Sequence, residues 1–189
     1  GDPLAHHRRG ELTAAMRSLG VVHHLLGASS GDAAATYRDS GMAGSAAAEH
    51  PRAWVGADLE EAAAAIRAVI DEVRPDVVVT YDATGGYGHP DHVRTHDATV
   101  RAVAGTAVRP VLYVTLTPQS WVLQDREWLA EHVPQDRELI VPGPHAPFAT
   151  SVVPDAVVTH AVHDPSVVAA QSQALRYHQT QVVVGDGWY

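Results

Sequence analysis

The run Asp76-Val77-Val78-Val79-Thr80-Tyr81 constrains the fold of this chain more than any other stretch. It is rich in valine, shows no polar alternation, and follows a helix-patterned segment closed by Pro75. Such a run reads as a parallel strand covered on both faces. Directly after it come Asp82-Ala83-Thr84-Gly85-Gly86-Tyr87-Gly88-His89 and then Pro90-Asp91-His92, where a helix-compatible segment starts. Strand, glycine-rich turn and helix start together make one βα unit. In α/β sheets, ligands bind at that carboxyl end of a strand.

The remaining segments extend this pattern. From Arg8 to Leu19 a helix is expected, with Leu12, Ala15, Met16 and Leu19 on one face and Gly20 as its stop. Val21 to Leu26 reads as a strand, followed by an irregular stretch from Gly27 to about Trp54. An irregular segment of that length in a compact domain is functional or disordered. Asp58 to Val73 is the clearest helix, because Leu59, Ala62, Ala63, Ile66, Val69, Ile70 and Val73 recur at three-four spacing. Pro90 to about Ala104 is the next helix, Pro110 to Leu116 the next strand, and Pro118 to His132 a further helix. Pro134 to Pro154 is a proline-rich surface excursion. Ala156 to Val162 reads as a strand, and Pro165 to about Gln179 as a helix that Asp164 caps. Helices alternating with strands imply an α/β fold built on a mainly parallel sheet with right-handed crossovers. The 189 residues suit one domain. The chain opens on a helix and stops soon after Val182-Val183-Val184, so the expectation is a domain truncated at both ends, its first central strand missing.

Composition removes several function classes. The formal net charge is -9, with the acidic residues spread along the chain, so a nucleic-acid partner is not expected. No apolar run approaches a membrane span, and a cytoplasmic protein is the default. Cysteine is absent, which excludes thiolate metal sites and leaves histidine and carboxylate as metal donors. The Gly85–Gly88 turn lacks the Gly-x-Gly-x-x-Gly spacing and has no phosphate-binding lysine, so a nucleotide loop is disfavoured.

Pro90 and Asp91 have a structural reading as a well-made helix start, with proline at the first helical position and a carboxylate in the first turn. That reading leaves Tyr87, His89 and His92 unexplained. His92 on the first turn is placed to bind a metal, and His89 just before it to face a reacting atom. Asp91 is placed to orient one of these imidazoles. Tyr87, flanked by glycines, is placed to offer its hydroxyl to developing negative charge. A helix cap with surface histidines remains the alternative. Among the 13 histidines, His96, His160, His163 and His178 are further candidate ligands, none in a motif that marks it as one. The adjacent pairs His6-His7 and His23-His24 place their side chains on diverging faces.

The segments Val77–Asp82 and Gly86–His92 closely resemble the zinc-dependent N-acetylglucosaminyl deacetylases of the LmbE-like superfamily. The similarity extends to Gly10-Glu11-Leu12-Thr13-Ala14-Ala15-Met16, to Tyr37-Arg38-Asp39-Ser40-Gly41-Met42-Ala43-Gly44 and to His178-Gln179-Thr180-Gln181-Val182-Val183-Val184, and is looser between Thr117 and Pro154. The Arg38–Gly44 segment resembles the mycothiol-pathway branch that deacetylates N-acetylglucosaminyl-inositol. The resemblance implies a three-layer, Rossmann-like fold, a single Zn2+ (with Fe2+ as the alternative metal) and a small amino-sugar glycoside as substrate, with a homo-oligomer allowed. By position, His92 matches the zinc-ligand histidine and His89 the histidine that stabilises the oxyanion. Asp91 matches the aspartate that tunes it, and Tyr87 a mobile tyrosine that polarises the acetamide carbonyl. Asp39 matches a contact to a sugar hydroxyl, with Met42 beside it.

One departure is expected to matter. The family's first strand ends in His-Pro-Asp-Asp, which implies two zinc ligands and the general base, whereas the single His-Pro-Asp here is His89-Pro90-Asp91. The expectation is therefore a chain that carries part of a deacetylase site and is inactive alone. Two alternatives stand beside it. One is a mycothiol S-conjugate amidase, which shares the Gly-Tyr-Gly-His motif. The other is a non-catalytic degenerate copy or sugar-binding protein.

Overall fold

The computed structural model describes residues 3–26, 37–133 and 141–185. The parts of the expected irregular stretch and proline-rich excursion that fall on 27–36 and 134–140 lie outside the described residues. The chain divides into two compact units, one of Leu25–Trp128 with Pro142–Thr159, the other of Gly1–His24, Leu129–Val141 and His160–Tyr189.

The first unit is built on a βα arrangement. Helix α2 (Leu59–Val73) begins where Asp58 accepts the Glu61 N–H at 2.8 Å, with Glu60 and Glu61 in its first turn. That satisfies one orphan donor and complements the helix dipole. The helix ends at Arg74 in the left-handed region (φ 52°), its N–H reaching Ile70 O at 2.8 Å. Strand β1 (Val77–Tyr81) follows and pairs in parallel with β2 (Val111–Thr115), Val77 opposite Val111 and Tyr81 opposite Thr115. Between them lie a distorted helical turn, α3 (Gly85–Gly88), and the helix α4 (Pro90–Gly105). A second parallel pair joins β3 (Thr117–Pro118) to β4 (Val152–Val153). Helix α5 (Gln119–His132) starts directly after β3. The Asp155 carboxylate accepts the Ser120 N–H in its first turn, at 3.1 Å. This is a mixed helix–strand fold of the α/β class, with short parallel sheets.

The core lies where α2 meets α4. Ala62 and Ala63 on α2 and Ala98 and Ala102 on α4 are buried, and such small side chains let two helices approach closely. Trp54 joins Ala57, Ala62 and Ala98 at one end. At the other, Ile70 joins Ala63 and Ala102, with Val78 of β1 packed against them. Residues Val78 and Thr80 thus turn towards the helices, while Val77 and Val79 alternate to the opposite face, where Val79 is 61% exposed. The expected two-sided burial of β1 is corrected on this point: among the described residues, helices cover one face only.

Two expected strands are absent. Val21–Leu26 and Ala156–Val162 run without a sheet ladder among the described residues. After Gly20 (φ 68°), the Gly20 N–H reaches Arg17 O and the Val21 N–H reaches Met16 O, both at 3.1 Å. This closes helix α1 (Pro3–Leu19) with a Schellman motif and leaves Val22 86% exposed. Around Ala156, the N–H groups of Val157 and Val158 turn back to Pro154 and Asp155, forming a 3-10 turn where a ladder was expected. Both segments lie where the chain passes from one unit to the other. Their valines imitate a strand pattern but pair with no strand among the described residues.

In the second unit α1 packs with α6 (Val168–Arg176). Asp164 caps a 3-10 turn, Pro165–Val167, that leads into α6, accepting the Ser166 N–H at 2.9 Å and the Ser166 hydroxyl at 2.6 Å; the helix expected from Pro165 is α-helical only from Val168. Buried Glu11 is its central polar group: Oε1 accepts the Thr180 N–H at 2.9 Å and Oε2 the Thr180 hydroxyl at 2.7 Å.

Candidate functional site

The carboxyl end of β1 is organised by Asp82. This buried carboxylate accepts the Thr84 hydroxyl and the Gly86 N–H, each at 2.8 Å, and its carbonyl accepts the Gly85 N–H at 3.0 Å. A side chain at Gly85 would force its neighbours to shift. The residue has φ 67°, and a Cβ there would lie 2.8 Å from Val93 N and 3.0 Å from His92 Cβ. The glycine lets the turn sit directly against the first turn of α4, which brings His92 beneath it.

The two histidines of the motif are held in opposite tautomers. His92 Nδ1 lies 3.2 Å from Gly85 O. A carbonyl only accepts, so Nδ1 carries a proton, and in the neutral ring the Nε2 lone pair is left open. His89 is the N-cap of α4, and its Nδ1 accepts the Asp91 N–H at 3.2 Å. Its proton therefore resides on Nε2, which makes that atom a donor. His92 is thus fixed as a nitrogen ligand or acceptor and His89 as a hydrogen-bond donor. The rings are adjacent, with centroids 4.8 Å apart.

Two tyrosines complete the group. Tyr81, the last residue of β1, stacks on His92 with centroids 4.0 Å apart and planes 3° from parallel. Burial, and secondarily the nearby Tyr87, push the Tyr81 phenol above its ordinary pKa, so it stays protonated. Tyr87 stands edge-on to His92 at 5.4 Å and to His89 at 5.9 Å, and is 57% exposed. The structure therefore brings Tyr87, His89 and His92 into one cluster.

Asp91 takes a different position from the one expected. Its Oδ2 accepts the Ser40 N–H at 2.9 Å, and the contact from residue 91 to the His89 ring comes from the backbone N–H. The other oxygen, Oδ1, is buried with no hydrogen-bond partner. The carboxylate therefore ties the start of α4 to the Asp39–Gly44 loop. Ser40 is completely buried at the hub of that loop: its hydroxyl accepts the Val55 N–H at 2.9 Å and its carbonyl accepts the Ser45 hydroxyl at 2.8 Å. Trp54 reinforces the tie, its Nε1–H pointing at Asp91 O and Thr95 Oγ1, each 3.1 Å away. Asp39 and Met42 are exposed on the loop, and one Asp39 oxygen accepts the Gly41 N–H at 2.6 Å.

Sequence reasoning missed Ser40, Tyr81 and Asp82 as organisers of the site. Asp82 had a signal, a carboxylate between a strand end and a double glycine. Ser40 had none, because its partner lies 51 residues away.

The fit to a divalent metal is partial. His92 Nε2 suits such an ion, its other nitrogen being oriented by a backbone carbonyl as metal-ligating imidazoles usually are. Among the described residues no three histidine or carboxylate side chains are grouped to hold one. His96 Nδ1 is engaged at 2.7 Å by Tyr81 O, while His160, His163 and His178 belong to the other compact unit.

Residues 2–103 match the GlcNAc-PI de-N-acetylase family, a span that includes the whole Tyr81–His92 segment. The chain is 41% identical over 183 residues to a 1D-myo-inositol 2-acetamido-2-deoxy-alpha-D-glucopyranoside deacetylase of Actinosynnema mirum, covering 97% of this chain and 62% of the relative. A Kineococcus radiotolerans protein of the same name is 44% identical over 204 residues, covering 97% of this chain and 55% of its own length. A third, from Streptomyces avermitilis, is 40% identical over 205 residues, covering 100% and 66%. The chain thus spans roughly three fifths of the length of these relatives.

Proposed function

The chain belongs to the GlcNAc-PI de-N-acetylase family, and from that membership we propose that it carries the acetamide-facing part of a zinc-dependent deacetylase site, acting on N-acetylglucosaminyl-inositol in mycothiol biosynthesis. The observation that carries this reading is the pair of opposite tautomers at His89 and His92, with the Tyr87 ring beside both. Amide hydrolysis calls for such an asymmetry, with a lone pair that grips an electrophilic cation and separate N–H and O–H donors for the oxygen of the tetrahedral intermediate. His92 would hold the cation through Nε2. A bound zinc supplies an acidified water and a polarised amide oxygen.

This chain's own groups then have distinct tasks. The His89 Nε2–H and the Tyr87 hydroxyl donate to the oxygen as negative charge builds on it. The loss of one such donor costs about 10²–10³ in turnover in comparable sites. Tyr81, stacked on His92, shields that ring and keeps its plane fixed. Asp91 holds the Asp39–Gly44 loop through Ser40, which places Asp39 to accept from a sugar hydroxyl with Met42 beside it. That loop, together with the deacetylase names of the relatives, favours the deacetylase over an S-conjugate amidase. We further read β1 and β2 as part of a wider, three-layer Rossmann-like sheet, since the bare face of Val77 and Val79 is what a second helical layer covers. With one His-Pro-Asp in the sequence and one oriented ligand, the chain by itself is expected to bind zinc weakly and to turn over substrate negligibly. We place its action in the cytoplasm, on a small soluble glycoside. Among the described residues no helix is long and apolar enough to cross a membrane.

The test is a zinc titration of histidine-labelled protein followed by NMR and calorimetry. Weak binding is expected, with the largest shift at His92 Nε2 while its Nδ1 keeps its proton. A silent His92, or tight one-to-one binding through other histidines, would overturn the reading.

A further inference from the structure

We propose that Thr150 and Ser151 are positioning residues for Tyr87, acting as a clamp on the carbonyl of Gly86. The inference rests on the reading of Tyr87 as a donor to the reacting oxygen. Gly86 O accepts two hydrogen bonds from a segment 64 residues further along the chain, from the Thr150 hydroxyl and from the Ser151 N–H, each at 2.7 Å. The Gly86 N–H is already held by Asp82 at 2.8 Å. Both polar groups of Gly86 are therefore engaged, and the peptide planes on either side of it are fixed.

This matters because Gly86 adopts a backbone conformation that is open only to glycine. Its φ of 76° and ψ of -86° lie near the classic γ-turn, which is strained for a residue with a side chain and freely accessible to glycine. Space does not require glycine there, since a Cβ would meet nothing within 4 Å. The conformation itself requires it. A glycine released from such bonds relaxes to other regions of φ/ψ space, and Tyr87, the next residue, moves with it.

The clamp is itself well anchored. Downstream, the Thr117 N–H reaches Ser151 O at 3.1 Å, and Thr117 pairs with Val152 in the β3–β4 ladder. Upstream, buried Arg126 donates to Ala146 O at 2.8 Å and to Pro147 O at 2.9 Å, and its guanidinium lies 4.7 Å from the centre of the Phe148 ring. A buried arginine that binds backbone carbonyls is a device for fixing a loop. Arg126 fixes the one that delivers Thr150.

The experiment uses the protein labelled with 3-fluorotyrosine and 19F NMR, the Tyr87 resonance being assigned by its loss in Tyr87→Phe. Thr150 is exposed, so Thr150→Val removes the hydroxyl without opening the core. The expected result is a shifted Tyr87 signal whose linewidth rises about twofold or more, as motion enters the microsecond-to-millisecond range. The other tyrosines should be unmoved, and Thr150→Ser should restore the signal. A Tyr87 resonance unchanged in Thr150→Val, or one that Thr150→Ser fails to restore, would overturn the clamp. So would a concerted movement of all the tyrosine signals. This readout needs neither turnover nor metal, so failure of the clamp is distinguishable from failure of the deacetylase reading, which the zinc response of His92 decides.

Discussion

The two compact units use histidine in opposite ways. At the β1–α4 junction each imidazole gives one nitrogen to a nearby backbone group, His92 to Gly85 O and His89 to the Asp91 N–H. The second nitrogen of each ring is thereby given a defined chemistry and left available. Around α1 the fixed group is a carboxylate. Glu11 is engaged at both oxygens by Thr180, while His7 stands 3.6 Å away and His178 contributes only its charge. Burial alone therefore does not nominate a reactive group. A side chain becomes useful for chemistry when the fold fixes one of its atoms and leaves another open.

The largest effect expected from this contrast is on metal binding. His92→Ala should abolish the zinc response, a loss beyond the roughly 10–100-fold that follows from removing a group that merely orients a ligand. His178→Ala should leave zinc binding unchanged, because that residue sits in the Glu11 cluster. Equal losses in the two variants, measured by calorimetry, would erase the distinction between the regions.

A second comparison uses glycines with nearly the same φ. Gly85 (φ 67°) faces the backbone of Val93 at 2.8 Å, whereas Gly20 (φ 68°) has nothing within 4 Å of a built Cβ. Gly20→Ala should cost about 1 kcal/mol, the penalty of the left-handed region. Gly85→Ala should cost about 2–4 kcal/mol, since overpacking against backbone is added to it. Urea unfolding of the two variants separates these values. An effect of the size expected at Gly20 is expected at Asp58, where substitution by alanine removes the cap of α2 and costs about 1 kcal/mol.

These contrasts also show what was legible beforehand. Helix α2, strand β1 and helix α4 carry their signals locally, in three-four spacing, in a valine run and in Pro90 at a helix start, and all three formed where expected. Tyr87, His89 and His92 were legible for the same reason, since a single turn and helix start gather them. The false strands at Val21–Leu26 and Ala156–Val162 show the limit of local pattern. A strand needs a partner, and apolar residues alone do not supply one. Asp91 shows it again. Its nearest imidazole in sequence is the adjacent His92, yet its carboxylate is held by Ser40, which comes from a loop that no periodicity connects to it.

The smallest expected effect is a pH dependence confined to Glu11. Burial, the largest single influence, pushes its carboxyl up. The two hydrogen bonds from Thr180, with the charges of His7 and His178, outweigh burial, and the net pKa falls below the ordinary carboxylate value. A carboxyl whose pKa is lower folded than unfolded favours the native state when ionised. Its contribution is therefore fully present above the unfolded-state pKa and is lost as the pH falls through the folded one. Asp155 and Asp164 are lowered too, each by hydrogen bonds from a serine, so global acid unfolding would mix all three. The Thr180 amide proton reports on Glu11 alone, because it donates directly to Oε1. Its resonance should titrate with a midpoint below the ordinary carboxylate range, and the transition should vanish in Glu11→Gln. A midpoint at or above that range would mean that burial wins over Thr180. Glu11 would then be a strained acid comparable to the open nitrogens of the β1–α4 junction, and the two regions would no longer differ in kind.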